Sequence, residues 1–270
     1  TGEGGSRLED VEAQVAVFHV RRTRRGRPPA PELACQDGGQ GRAWLKPSSH
    51  YRQAIGARPW PSLPIKPGVW TLATLFGSDL GEHLVFKGGT SLSKAYHVIR
   101  RFSEDVDLTY DIRAIAPDLV GEDGEALPKN RSEERRWSKA VRYRLPEWVN
   151  GTVQPLLAGA IDAQSLPATL RVEGDKLFVD YEATSAGSGY VAPSVMLEFG
   201  ARSTGEPASP RDVACDAAGL IEGVEFPTAR PRVMHAERTF WEKATAIHVF
   251  CLQERLRGER FARHWHDVVR

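Results

Sequence analysis

The chain has 270 residues, 41% of them hydrophobic, and a formal net charge of +1. That is enough apolar material for a core in one or two domains, and too little net charge to hold nucleic acid by a general field, so any such contact needs a local patch. No apolar run approaches the length of a membrane span, the acidic start is unlike a signal peptide, and Cys35, Cys215 and Cys251 form no close pair or metal spacing, which fits a soluble protein of a reducing cytoplasm.

Residues 1–67 show little periodicity and several Pro and Gly breaks. They carry an arginine cluster at Arg21, Arg22, Arg24, Arg25 and Arg27, which reads either as a nucleic-acid-binding arm or as a solvated tail. His83–Phe86 is a short, mostly apolar run that predicts a buried strand. Gly88 and Gly89 then allow a sharp bend and close approach to a ligand. Thr90 or Ser91 is expected to cap the next helix, whose apolar residues Leu92, Ala95, Tyr96 and Ile99 fall at helical spacing. A helix N-terminus behind glycines suits phosphate. After Arg101 the period becomes that of a strand, with Val106, Leu108 and Tyr110 on one face and Ser103, Asp105, Asp107 and Thr109 on the other. Two carboxylates a strand step apart repel one another unless a cation lies between them, and Mg²⁺ accepts one or two carboxylates completed by water and phosphate oxygens. Taken separately, an Asp-x-Asp strand also reads as a solvated edge and a Gly-Gly-Thr as a plain turn.

Further along, Ser132 is placed to cap a helix running to about Leu145, with Glu133 and Glu134 in its first turn and Pro146 ending it. Arg135, Arg136, Lys139, Arg142 and Arg144 make this helix basic, with Trp137 and Tyr143 interleaved. It reads as a nucleic-acid-facing surface or as a solvated helix with aromatic packing. Leu170–Val172 and Leu177–Tyr181 form a predicted hairpin around Gly174 and Asp175, leading to the strand Ser194–Gly200. That strand frames Glu198 with hydrophobic residues. Glu237–Leu256 reads as an amphipathic helix with Phe240, Ala244, Ile247 and Cys251 on its buried face and Lys243 at the margin. Lys243 is then either a snorkelling lysine or a ligand-facing one, and Arg263 and Asp267 either an ordinary i, i+4 salt bridge or part of a site. His264 and His266, two residues apart on a helix, diverge too far to share a zinc ion. There is no Walker lysine motif and no GxGxxG, and KGGTSLSK has the wrong spacing, which argues against a P-loop NTPase. These elements assemble as an α/β fold, a mixed sheet flanked by helices with a mostly helical C-terminal part.

The string FKGGTSLSKAY followed by RFSEDVDL resembles the first motif of the AbiEii/AbiGii-type nucleotidyltransferase toxins, within the DNA polymerase β-like superfamily. The resemblance extends from about Leu84 to Arg270. It implies a nucleotidyltransferase core at 71–210, a C-terminal helical part at 211–270, and an atypical or out-of-frame N-terminal lobe at 1–70. Members carry a Glu-Lys-Asp-aromatic-Trp signature before the glycine turn, where this chain has Lys66, Pro67, Gly68, Val69 and Trp70. The first residue is not methionine and the last falls inside a predicted helix, which is the expectation for a fragment.

By the same resemblance, Lys87, Gly88, Gly89, Thr90, Ser91 and Lys243 hold a nucleoside triphosphate, with Ser103 beside them. Asp105 and Asp107 bind Mg²⁺, and Glu198 is the third carboxylate, a general base or metal ligand. Lys243 and Asp267 complete the catalytic set, Arg263 and Asp267 resembling the last motif. The implied activity is transfer of NMP from NTP to an acceptor hydroxyl, with the tRNA 3′ end as acceptor and a cognate antitoxin as partner. A protein hydroxyl as acceptor, or an inert remnant that binds nucleotide or antitoxin, are the alternative expectations.

Overall fold

The computed structural model describes residues 68–99, 105–121, 124, 126–181, 193–216, 218, 226–252 and 261–269, all within one compact unit. The arginine cluster and the rest of the irregular N-terminal stretch, and Ser103, lie outside the described residues. The elements in order are α1 (Gly68–Phe76), β1 (Leu84–Lys87), α2 (Gly88–Lys94), β2 (Asp105–Tyr110), the short α3 (Ile112–Ile115) and α4 (Arg131–Trp148). A π turn (Val149–Val153), α5 (Gln154–Ala163), β3 (Ala168–Glu173), β4 (Lys176–Tyr181) and β5 (Ser194–Gly200) follow. The chain then runs through β6 (Ala208–Pro210), β7 (Val213–Ala214), β8 (Thr228–Ala229), β9 (Arg232–Met234), α6 (Ala236–Cys251) and α7 (Phe261–Val269).

Seven strands form one mixed sheet in the order β3-β4-β5-β2-β1-β9-β6, and β7 and β8 pair separately. β2 sits at its centre, antiparallel to β1 and parallel to β5. Alternation decides the layering. Leu84 and Phe86 of β1, Val106 and Leu108 of β2, Leu177 and Val179 of β4, and Val195, Leu197 and Phe199 of β5 are all buried in a single apolar cluster. Because successive strand residues point to opposite faces, the intervening Lys87, Asp105, Asp107, Lys176 and Glu198 share the other face. The expected hairpin forms, and Gly174 supplies its turn at φ +64°, a conformation that costs glycine little.

The core face is roofed by α1 and by one long helical run. The run differs from the sequence expectation in three ways. Asn130, not Ser132, caps it, accepting from the Glu133 N–H at 3.0 Å. Pro146 lies inside the helix instead of ending it, and the helical path continues through the π turn to Ala163. The cause is visible in the buried positions Trp137, Val141, Leu145, Val149, Val153, Leu157 and Ile161, an unbroken four-residue repeat. At ~100° per residue such a stripe drifts by about 40° per step on an ideal α-helix, and a π turn, with more residues per turn, takes up part of that drift. An interior proline costs roughly 3 kcal/mol. Complete burial of each aliphatic side chain in the stripe returns about 1.5–3 kcal/mol, so the stripe outweighs the proline. Trp148 locks the run to the sheet, stacking on Tyr110 with centroids 4.2 Å apart and meeting Phe199 edge-on at 5.5 Å. Trp70 of α1 is buried too, its indole N–H donating to Gln164 Oε1 at 3.0 Å.

Candidate active site

On the face of the sheet opposite the apolar cluster the strand registers align charged residues in a transverse row. Lys87 faces Asp107, Asp107 faces Glu198, Glu198 faces Lys176, and Lys176 faces Glu173, across β1, β2, β5, β4 and β3. Asp105 stands two residues from Asp107 on the same face, as period two requires. Adjacent strands lie about 4.8 Å apart, so Asp107 and Glu198, in register on one face of β2 and β5, are neighbours. Burial pushes the Asp107 carboxyl up to about 6; Lys87 opposes this, Glu198 and Asp105 add to it, and Lys243 again opposes it. Lys176 Nζ lies 3.1 Å from Glu198 Oε2, and Lys87 Nζ 3.3 Å from Glu242 Oε2. Asp105, Asp107 and Glu198 thus share one patch with Lys87 and Lys176.

The glycine turn serves this patch in a way its sequence does not announce. Gly88 adopts φ +78°, and a Cβ there would overlap Asp107 Oδ2 and approach Asp107 Cγ at 2.8 Å. Glycine is therefore what leaves room for the Asp107 carboxylate. The helix begins at Gly88 itself, preceded by Lys87, with no side-chain cap, so the expected capping by Thr90 or Ser91 does not occur. Lying in the first turn, Thr90 instead donates its hydroxyl to the Asp105 carbonyl at 2.5 Å, and Ser91 donates to the Gly88 carbonyl at 2.9 Å. The Ser91 bond closes the turn on itself, and the Thr90 bond ties it to β2. The Thr90 bond pins the backbone of the very residue that carries one of the two aspartates.

The C-terminal helices close the other side. The buried face of α6 is Thr239, Lys243 and Ile247. Phe240 and Cys251 of the expected face are exposed, a rotation of one position from the predicted stripe. Lys243 therefore sits on the buried face, where its Nζ meets Asp267 Oδ2 of α7 at 3.0 Å, with the Asp267 side chain fully buried. Arg263, one turn earlier on α7, reaches Asp105 Oδ2 at 3.8 Å. Asp267 is thus joined to Lys243, and Arg263 to the carboxylate patch. His266 faces Asp267 at 3.4 Å.

Removing one partner of a buried ion pair leaves the other charge uncompensated, at about 3–5 kcal/mol. An Asp267→Ala chain is accordingly expected to lose roughly 3 kcal/mol or more in urea unfolding, and Lys243→Met with Asp267→Leu together to recover most of it. Equal stability of Asp267→Ala and the parent would refute the pairing.

The basic helix α4 lies against the opposite, core face of the sheet. Arg131, Glu134, Arg135, Ser138, Lys139 and Arg142 line a shallow concavity of about 360 Å³ on its outer side. Trp137 is buried in the core and Tyr143 is exposed, so the two aromatic residues do not share a binding surface.

Among the described residues no three His, Cys, Asp or Glu side chains are gathered into a ready-made metal cage. The donor set is instead two aspartates a strand step apart, beside a third carboxylate. It fits a hard divalent cation that keeps water and phosphate oxygens in its shell. The sequence reading missed Lys176 and Glu242. Lys176 follows the Gly174 turn, and only the hairpin register sets it against Glu198.

A family model described as "Nucleotidyl transferase AbiEii toxin, Type IV TA system" matches residues 70–270. Among solved structures, MenT4, a nucleotidyltransferase toxin from Mycobacterium tuberculosis H37Rv, is similar at 21% identity and a TM-score of 0.36, over 77% of this chain and 59% of that one. The chain thus spans less than two thirds of the length of that protein. No curated protein matches by sequence.

Proposed function

This chain belongs to the AbiEii nucleotidyltransferase toxin family, and we propose that it moves a nucleoside monophosphate from an NTP to an acceptor hydroxyl, with Mg²⁺ as cofactor and the tRNA 3′ end as acceptor. The observation that carries this reading is the register that sets Asp107 against Glu198 on parallel strands, with Lys87 and the Gly88 turn on the opposite flank. Asp105 and Asp107 would hold the metal, which when bound neutralises charge on the triphosphate and the leaving pyrophosphate.

The chain's own residues do the rest. Lys87 and Lys243 supply positive charge to the triphosphate, Lys243 being oriented by Asp267. The Gly88–Ser91 turn lets backbone approach the phosphates, and Thr90 fixes it to the Asp105 strand. Glu198, at the far side of Asp107, takes the proton from the attacking hydroxyl. Positioning and preorganised charge supply the acceleration. The family description names a type IV toxin–antitoxin system, so a cognate antitoxin is the proposed partner. The setting is the cytoplasm, where NTP and tRNA meet; no described helix is long and apolar enough to cross a membrane.

Incubation with each radiolabelled NTP and total tRNA is expected to label the tRNA with Mg²⁺ present, and an Asp105→Ala chain of unchanged circular dichroism to label it at least about 10³-fold more slowly. Label appearing in protein instead of tRNA would transfer the activity to a protein acceptor. Full activity of Asp105→Ala would overturn the site.

A further inference from the structure

A second transverse row runs beside the charged one on the same face of the sheet. Asp105 of β2 faces Met196 of β5, Met196 faces Phe178 of β4, and Phe178 faces Arg171 of β3. The row leads from a metal-binding candidate across three strand spacings of about 4.8 Å each. It ends in a layered pair, the Arg171 guanidinium lying 4.0 Å from the Phe178 ring centroid. Two carboxylates hold that guanidinium: Asp180 Oδ2 at 3.3 Å from its Nε, and Glu173, which pairs with its Nη1. The Arg171 side chain nonetheless remains about half exposed, at 48%. Nothing in the nucleotide-transfer scheme uses these residues, yet they are continuous with its carboxylates.

We propose that Met196, Phe178 and Arg171 form a stacking platform for an unpaired base of the acceptor RNA, next to the nucleotide that carries the reacting 3′ hydroxyl. The proposal rests on the reading of Asp105, Asp107 and Glu198 as the transfer centre and adds where its second substrate lies. Direction decides between the two substrates. The triphosphate residues Lys87 and the Gly88 turn lie toward β1, whereas the platform lies on the β5, β4 and β3 side, beyond Glu198 and therefore on the side of the proton acceptor. The chemistry favours a base over a phosphate. Glu173 and Asp180 border the guanidinium and repel phosphate, while a planar cation backed by an aromatic ring offers a flat face that stacks on any base. A thioether beside it adapts to ring edges. Binding here is consequently expected to depend weakly on salt, unlike phosphate-tracking contacts.

The test uses a short 5′-fluorescent single-stranded oligoribonucleotide ending in CCA, with both anisotropy binding and steady-state transfer as readouts. Arg171→Ala and Phe178→Ala are each expected to weaken binding and raise the acceptor KM by about tenfold or more, with the NTP KM unchanged. Arg171→Lys, which keeps the charge and loses the plane, should behave like Arg171→Ala, and Phe178→Trp should retain binding. Arg171 is exposed enough that its replacement leaves the fold intact, so a folding defect in Phe178→Ala does not decide the matter.

An unchanged acceptor KM, an effect on the NTP KM alone, or full rescue by Arg171→Lys would each overturn the platform. If the parent chain modifies no RNA, the proposed acceptor is wrong, but anisotropy still decides. Binding lost in Arg171→Ala upholds the platform, and absent or unaffected binding ends it.

Discussion

An Asp107→Asn chain is expected to be more stable than its parent at neutral pH and nearly inert in nucleotide transfer. The folded state raises the Asp107 carboxyl to about 6 from an ordinary value of 3.8. A raised acid binds its proton more tightly when folded, so its stabilising share is complete below pH 3.8, declines between 3.8 and 6, and is absent above. At pH 7.5 the charged carboxylate therefore costs stability. Each pKa unit corresponds to about 1.4 kcal/mol; partial exposure of the side chain reduces the total to roughly 1–2 kcal/mol. Asparagine keeps the shape and never ionises.

Urea titrations should show the variant ahead at pH 7.5 and level with the parent near pH 4. Transfer should fall by about 10³-fold or more, the scale of losing a charge-stabilising group from a transition state. The parent should gain stability on adding Mg²⁺ at pH 7.5 and much less at pH 5, where the proton competes for Asp107. Retention of transfer within tenfold, or a variant less stable than its parent at pH 7.5, would count decisively against this account.

Replacing Gly88 with alanine is expected to disable the site with a modest cost to the fold. Two penalties combine. The φ of +78° disfavours any L side chain by about 1–2 kcal/mol, and the added methyl occupies the place of the Asp107 carboxylate. The obstructing atoms belong to a side chain that can turn, so the structure yields by rotating Asp107 away from Glu198. A misplacement of about 1 Å near a reacting centre costs on the order of 10²-fold.

Gly174→Ala separates the two effects, because Gly174 also has positive φ, at +64°, but a Cβ there meets nothing within 4 Å. Both variants should lose stability in melting experiments, Gly88→Ala at least as much as Gly174→Ala, and only Gly88→Ala should lose transfer. Loss of transfer in both, to the same degree, would reduce the role of Gly88 to backbone strain. This reading also explains the pairing of the motif: the glycine and the second aspartate of KGGT…DVD are one steric unit, joined across the β1–β2 register in which Lys87 faces Asp107.

Local pattern carried the sequence reading where one period dominates. Val106, Leu108 and Tyr110 alternate with Asp105 and Asp107 over a single strand, and the hairpin around Gly174 is bounded by its own turn. It went astray where tertiary burial overrides a local signal. Pro146 is a strong stop on its own, yet the stripe from Trp137 to Ile161 carries the helix past it. Phe240 outranks Lys243 on any hydropathy scale, yet Lys243 is the buried one, because Asp267 arrives from another helix to compensate its charge. Thr90 has the chemistry of a cap, but the Asp105 carbonyl, fifteen residues away in sequence, claims its hydroxyl.

The sequence by itself determined the mixed α/β architecture, the shared face of Asp105 and Asp107, and the family motif, since each is written in residue types at short spacing. Tertiary structure alone decided that Asp107 faces Glu198 and Lys87, that Gly88 makes room for a carboxylate, that Lys243 answers to Asp267, and that Arg171, Phe178 and Met196 line up with Asp105. All of these depend on register and packing between elements distant in the chain. Local periodicity constrains which face a residue takes, and only pairing of whole strands and helices fixes which residue it meets there.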